Sequence, residues 1–76
     1  MSLNNIGQIY IIQGEYILAE KYLNRTLEIR KRIDDKEGLS LTYLNFGEIE
    51  FKTGNYTKAE EYSLMGLKIA HDLNPI

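Results

Sequence analysis

The sequence predicts an all-α fold, an α-solenoid of two helix-turn-helix repeats built from four antiparallel helices. Three observations support this prediction: the sequence matches itself at a shift of 40 residues, its apolar residues recur at helical spacing, and glycine or an acidic pair interrupts that spacing. Strands are not predicted, because no segment alternates apolar and polar residues for long. With 76 residues, the chain can form one small domain.

The internal repeat is the strongest of these signals. Ten of 36 aligned pairs are identical, and the alignment needs no gap. Chance is a poor explanation for such a match, so both halves are expected to form the same structural unit. The identical pairs are Asn5/Asn45, Gly7/Gly47, Ile9/Ile49, Gly14/Gly54, Tyr16/Tyr56, Ala19/Ala59, Glu20/Glu60, Tyr22/Tyr62, Leu27/Leu67 and Ile29/Ile69.

The first unit is predicted to contain two helices. In the first helix, about residues 2–13, Leu3, Ile6 and Tyr10 recur at helical spacing before Gly14 breaks the pattern. The second helix, about residues 16–33, ends in a run of positive charge that suits the helix dipole. Its apolar side is expected to carry Ala19, Tyr22, Leu23, Thr26, Leu27 and Ile33.

The second unit follows the same plan. Asp35 is predicted to cap a helix over about residues 36–52, and a fourth helix is expected over about residues 56–73, before Asn74-Pro75 ends it. We therefore assign repeat 1 to residues 1–36 and repeat 2 to residues 37–76. Together they are expected to form one domain, which is part of a longer array.

The repeated small residues are interpreted as packing devices. Gly7 and Gly47 lie inside helices, where glycine costs about 1 kcal/mol relative to alanine. Such a position is expected where another helix approaches closely, and Ala19 and Ala59 are the expected partners in those crossings. Gly14 and Gly54 are expected to end the first helix of each pair in a conformation that suits glycine. Tyr16 and Tyr56 are then expected to fill the wedge between the two helices of each pair.

Composition excludes several classes of protein. The chain has no cysteine, which rules out a disulfide framework, a thiolate zinc site and a cysteine nucleophile. Its longest apolar run, residues 9–12, is far too short to span a bilayer, and residues 1–5 do not resemble a signal peptide. A pI near 5.3 argues against a phosphate-binding surface, and the basic run of residues 30–32 is flanked by acidic residues. We expect a soluble, cytoplasmic protein that binds neither nucleic acid nor membrane.

No constellation of residues indicates catalysis. His71, the only histidine, is expected to interact with the dipole of the last helix, and Asp72 beside it does not make a metal site. A glycine-rich phosphate loop would have to follow a strand, and strands are not predicted. The chain is therefore predicted to have no enzymatic activity, no metal and no cofactor.

Two segments resemble the signature of the tetratricopeptide repeat family. They read Leu3-x-x-Ile6-Gly7-x-x-Tyr10 with Gly14-x-Tyr16-x-x-Ala19-x-x-x-Leu23, and Tyr43-x-x-Phe46-Gly47 with Gly54-x-Tyr56-x-x-Ala59. The resemblance covers nearly the whole chain. The second copy departs from the pattern with Glu50 in place of an aromatic residue and Ser63 in place of a large apolar one. The 40-residue length is similar to repeats of kinesin light chains, of scaffolds that bind regulators of G-protein signalling, and of bacterial peptide-sensing regulators.

The resemblance implies a noncovalent scaffold that binds a protein or an extended peptide. In this family, the first helices of successive repeats line a concave groove. Helical angles place one set of residues opposite the apolar positions of these two helices: Asn5, Gln8 and Ile12 in the first helix, and Asn45, Glu48 and Lys52 in the third. An asparagine amide can both donate to and accept from a peptide backbone. The alternative is that both asparagines are solvated or link neighbouring helices.

A different function is predicted for the last helix. Helical arrays usually end in a polar capping helix, whereas this helix still carries Leu64, Leu67 and Leu73. Exposed together, these leucines would form a self-association patch, so a homodimer is an alternative to peptide binding. A third reading is a sensor segment within a larger regulatory protein.

Overall fold

The computed structural model describes the backbone of residues 3–73 and the side chains of residues 6–73. It contains α1 (Leu3–Ile12), α2 (Tyr16–Arg32), α3 (Lys36–Lys52) and α4 (Tyr56–Leu73). Helices α2, α3 and α4 begin at the residues expected from the sequence. Residue 2 and Asn74-Pro75, where helix ends were expected, lie outside the described residues.

Successive helices are joined by three-residue turns that share one geometry. After α1, the N–H of Glu15 donates to the carbonyl of Tyr10 at 2.8 Å, and Gly14 adopts a φ of +76°. After α3, the N–H of Asn55 donates to the carbonyl of Glu50 at 2.8 Å, and Gly54 adopts a φ of +87°. This is the Schellman arrangement, in which a left-handed residue follows the helix and the last carbonyls are satisfied. The expected role of both glycines is confirmed.

The turn between α2 and α3 has the same geometry but contains no glycine. Asp34 has a φ of +56°, and the N–H of Asp35 donates to the carbonyl of Arg30 at 2.9 Å. Because the chain turns at this point, Ile33 lies beyond the end of α2 and is 64% exposed. The expectation that Ile33 belongs to the apolar side of α2 is therefore wrong.

The core lies where α3 packs against both helices of the first hairpin. Each successive pair of helices is in contact, and α3 also contacts α1. The buried cluster joins Ile11, Ala19 and Leu23 of the first hairpin to Phe46 and Ile49 of α3. Tyr62 of α4 stacks on Phe46, with ring centroids 5.3 Å apart. The two hairpins therefore share one core, which supports an all-α repeat fold.

The crossing of α3 and α4 is close at Gly47. A Cβ atom at this position would lie 3.2 Å from the carbonyl oxygen of Ala59 and 2.8 Å from Ser63 Oγ. The expected partnership with Ala59 is confirmed in this hairpin. In the first hairpin, a Cβ on Gly7 would instead meet the side chain of Leu23 at 2.9 Å, so the expected partnership with Ala19 is not what the structure shows. The larger Leu23 at the position of Ser63 accounts for the difference.

Candidate protein-interaction surfaces

A hydrogen bond joins the two helices that were predicted to line a groove. Gln8 Nε2 of α1 donates to Glu48 Oε2 of α3 at 3.3 Å. These residues occupy equivalent positions in the two repeats, 40 residues apart. The bond therefore places the predicted faces of α1 and α3 side by side. We call this surface the α1–α3 groove, comprising Asn5, Gln8, Ile12, Asn45, Glu48 and Lys52.

The remaining residues of the α1–α3 groove differ in exposure. Ile12 is 72% exposed and Lys52 is also exposed, whereas Asn45 is half-buried. Asn5 lies in α1, but its side chain is outside the described residues. An amide, a carboxylate, an ammonium group and an apolar side chain are thus available along one surface. Such a mixture suits main-chain hydrogen bonding with modest side-chain selection.

A second surface opens between α3 and α4. We call it the α3–α4 cleft; it has a volume of about 500 Å³. It is lined by Leu44, Gly47, Glu48, Phe51, Tyr56, Ala59, Glu60 and Ser63. Only Glu48 belongs to both surfaces, so the two lie next to each other on α3.

Two aromatic side chains form the exposed wall of the α3–α4 cleft. Phe51 is 62% exposed and Tyr56 is 65% exposed, and their rings meet edge to face with centroids 5.5 Å apart. Their counterparts in the first hairpin are Ile11, which is 1% exposed, and Tyr16, which packs against the core. Tyr16 therefore fills its wedge as expected, whereas the expectation for Tyr56 is wrong. The difference arises because α3 covers the first hairpin and no described residue covers the second.

The three leucines predicted as a self-association patch do not share one environment. Leu64, Leu67 and Leu73 are 58%, 57% and 42% exposed. Leu73 lines a second cavity, of about 470 Å³, together with Leu41, Leu44 and Ala70. Leu67 is the counterpart of Leu27, which packs against the core, whereas Leu64 is the counterpart of an exposed asparagine at position 24.

The sequence matches the sequence model of the tetratricopeptide repeat family over residues 1–71. The chain belongs to this family. Tetratricopeptide repeats generally mediate interactions between proteins and are typically noncatalytic scaffolds. Comparisons with curated proteins and with solved structures give no match.

The charged residues of this tetratricopeptide chain are arranged as a scaffold would require. Within residues 3–73, no group of three His, Cys, Asp or Glu side chains is placed to hold a metal ion. Arg30, part of the basic run, is half-buried and bonds to Asp35 at 3.2 Å, so one of the three charges serves the fold. No helix among the described residues has the length and apolar character needed to cross a membrane.

Sequence reasoning missed two residues that shape these tetratricopeptide surfaces. Ile11 is the largest of the fully buried side chains, and Phe51 is its counterpart in the α3–α4 cleft. Both are apolar but they are not identical, so a comparison by identity overlooked them. Comparing residues by chemical class at the same shift would have found the pair.

Proposed function

We propose that this tetratricopeptide chain is a noncovalent scaffold that binds an extended peptide segment of a partner protein in the α1–α3 groove. The observation that carries the proposal is the hydrogen bond from Gln8 to Glu48. It supports the proposal because it holds the corresponding faces of the two first helices next to each other. A peptide lying across both helices would meet equivalent side chains at each repeat.

The chemistry of the groove favours recognition of a peptide main chain. Asn45 is half-buried, which restricts its rotamers and lowers the entropy that binding would cost. Its amide can donate to a peptide carbonyl and accept from a peptide N–H. Lys52 and Ile12, both exposed, provide one ionic and one apolar contact for flanking side chains. This mechanism requires no bond-making and no cofactor.

Selection from a displayed library of random peptides tests the proposal. Binders recovered on the 76-residue chain are expected to shift the NMR amide signals of Gln8, Ile12, Glu48 and Lys52. Asn45→Ala is expected to weaken their affinity by about tenfold, the effect of losing one or two hydrogen bonds. Helical circular dichroism should be unchanged.

The matched control is Asn24→Ala, which removes an exposed asparagine of α2 outside the groove. Its affinity for the same peptides is expected to equal that of the wild type. A library that yields no binder, or binders that tolerate Asn45→Ala while shifting signals only outside the groove, would contradict the proposal.

A further inference from the structure

The two ends of the molecule expose complementary halves of one interface. Ile9 of α1 is 41% exposed, whereas its counterpart Ile49 of α3 is 2% exposed. At the other end, Phe51 is 62% exposed, whereas its counterpart Ile11 is 1% exposed. Residues at equivalent positions are therefore buried in the middle of the molecule and exposed at its ends.

The buried half of each pair shows how the interface is built. Helix α3 contacts both α1 and α2, and it places Phe46 and Ile49 in the buried cluster with three residues of the first hairpin. Those three residues are Ile11, Ala19 and Leu23. The internal interface thus consists of one face of a first helix set against the surface of the preceding hairpin.

The same two surfaces recur where the described residues leave them uncovered. At a shift of 40 residues, the receiving residues Ile11, Ala19 and Leu23 become Phe51, Ala59 and Ser63, all of which line the α3–α4 cleft. The inserted residues Phe46 and Ile49 become Ile6 and Ile9 of α1. Helix α1 therefore presents the apolar chemistry that α3 inserts, and the α3–α4 cleft presents the chemistry that receives it.

We propose that α1 of a second copy of this chain docks in the α3–α4 cleft, so that the copies associate head to tail. The second copy is the occupant that the observations favour, because donor and receiver faces are present on one molecule and already fit each other internally. The same register would bring Gln8 of the second copy to Glu48, whose Oε2 already accepts from Gln8 of its own chain. A carboxylate has two oxygens and can accept both bonds.

This contact differs from a two-fold dimer through the last helix. The two surfaces involved are different, so the interface is heterologous and each added copy leaves one free face at each end. Association therefore continues beyond two copies as the concentration rises. Ser63 replaces the larger Leu23 in the receiving surface, which makes the contact between copies less filled than the internal one.

Sedimentation of the 76-residue chain tests the proposal, over concentrations from about 10 μM to about 1 mM, where weak specific contacts are measured. The mean mass is expected to rise steadily with concentration. Ile9→Glu blocks the α1 face and Phe51→Glu blocks the cleft, so each variant alone should lose association by about tenfold or more. Both positions are exposed, and helical circular dichroism verifies that each variant folds.

Mixing the two variants gives the sharpest result. Ile9→Glu keeps an intact cleft and Phe51→Glu keeps an intact α1 face, so an equal mixture should form a one-to-one complex that grows no further. Leu64→Glu is the matched control, since Leu64 is 58% exposed and does not line the cleft; its association should equal that of the wild type. Asn45→Ala should also associate normally, which separates this proposal from peptide binding.

Three results would overturn the proposal. One is a wild-type chain that stays monomeric at all concentrations, as expected if a helix of a different protein fills the cleft. Another is a mixture of the two variants that fails to form a complex although the wild type associates. The third is loss of association in Leu64→Glu alone, which would place the contact on the outer face of α4.

Discussion

Arg30 and Asp35 are joined by two hydrogen bonds that run in opposite directions across the turn between α2 and α3. The backbone N–H of Asp35 donates to the carbonyl of Arg30 at 2.9 Å, and the guanidinium Nη1 of Arg30 donates to Asp35 Oδ2 at 3.2 Å. The second carboxylate oxygen of Asp35 accepts from the N–H of Gly38 at 3.0 Å and caps α3. One side chain therefore closes α2, starts α3 and fixes the angle between the hairpins.

Asp35→Ala is expected to lower the free energy of unfolding by about 2 kcal/mol. Loss of an N-cap costs about 1 kcal/mol. Leaving the half-buried guanidinium of Arg30 without its acceptor adds about 1 kcal/mol, discounted because Asp35 is itself partly exposed. Urea unfolding followed by helical circular dichroism measures the change.

Two further variants separate the cap from the charge. Asp35→Asn keeps a capping oxygen and is expected to cost less than half as much as Asp35→Ala. Asp72→Ala, an exposed position in α4, should change stability by less than about 0.5 kcal/mol. Equal losses in Asp35→Asn and Asp35→Ala would show that charge, and not capping, dominates.

Asp34→Gly is expected to stabilise the protein. Asp34 has a φ of +56°, a conformation that disfavours residues with a Cβ and that glycine adopts freely. After allowing for the greater freedom of glycine in the unfolded chain, the gain should be about 0.5 kcal/mol. For a chain of this size, that gain raises the melting temperature by about 2–4 °C, measurable by thermal circular dichroism.

The control for Asp34→Gly is the same kind of change inside a helix. Glu28→Gly replaces an exposed residue of α2, and it should lower stability by about 1 kcal/mol. The two substitutions to glycine are therefore expected to have opposite signs. A destabilising Asp34→Gly would mean that the aspartate side chain contributes more than its backbone strain costs.

Gly47→Ala is expected to destabilise the α3–α4 crossing by about 1–3 kcal/mol, despite the better helix propensity of alanine. The added Cβ would lie 3.2 Å from the carbonyl oxygen of Ala59 and 3.4 Å from the backbone N of Ser63. These backbone atoms cannot move without separating the helices. Urea unfolding measures the loss.

Gly7→Ala provides the comparison for Gly47→Ala. Its Cβ would meet Leu23 Cδ2 at 2.9 Å, the end of a side chain that can rotate. We expect a smaller loss than for Gly47→Ala. The reverse order would show that buried Leu23 yields less readily than the backbone of α4.

Glu50→Gln is expected to raise the free energy of unfolding by about 1 kcal/mol. Glu50 is 8% exposed, and its Oε2 is buried without a hydrogen-bond partner among the described residues. Burial of an unsatisfied carboxylate oxygen is costly, and glutamine keeps the shape while removing the charge. Glu60→Gln, at an exposed position, should change stability by less than about 0.5 kcal/mol. A loss of stability in Glu50→Gln would show that the charge is favourable at this position.

Local patterns explain why the helices and two of the turns were predictable. Helical spacing of apolar residues and the left-handed preference of Gly14 and Gly54 act within a few residues, so the sequence states them directly. Asp34 was not recognised as a third left-handed residue, because aspartate adopts this conformation less often than glycine. Its position midway between the two glycines was a usable signal.

The surfaces were less predictable, because they depend on neighbouring elements. Tyr16 and Tyr56 are identical in sequence position, yet one packs against the core and the other is 65% exposed. Only the presence of α3 beside the first hairpin distinguishes them. Similarly, helical angles placed Gln8 and Glu48 on one surface, but their hydrogen bond depends on the register between α1 and α3.

The left-handed residues fall at positions 14, 34 and 54, so every turn is separated from the next by 20 residues, whether it lies within a repeat or between repeats. The joint inside a hairpin is therefore interchangeable with the joint between hairpins. Duplicating residues 36–73, with a copied turn as the only connector, should lengthen the rod without disturbing its pitch. The chain supplies its own building block for arrays of chosen length.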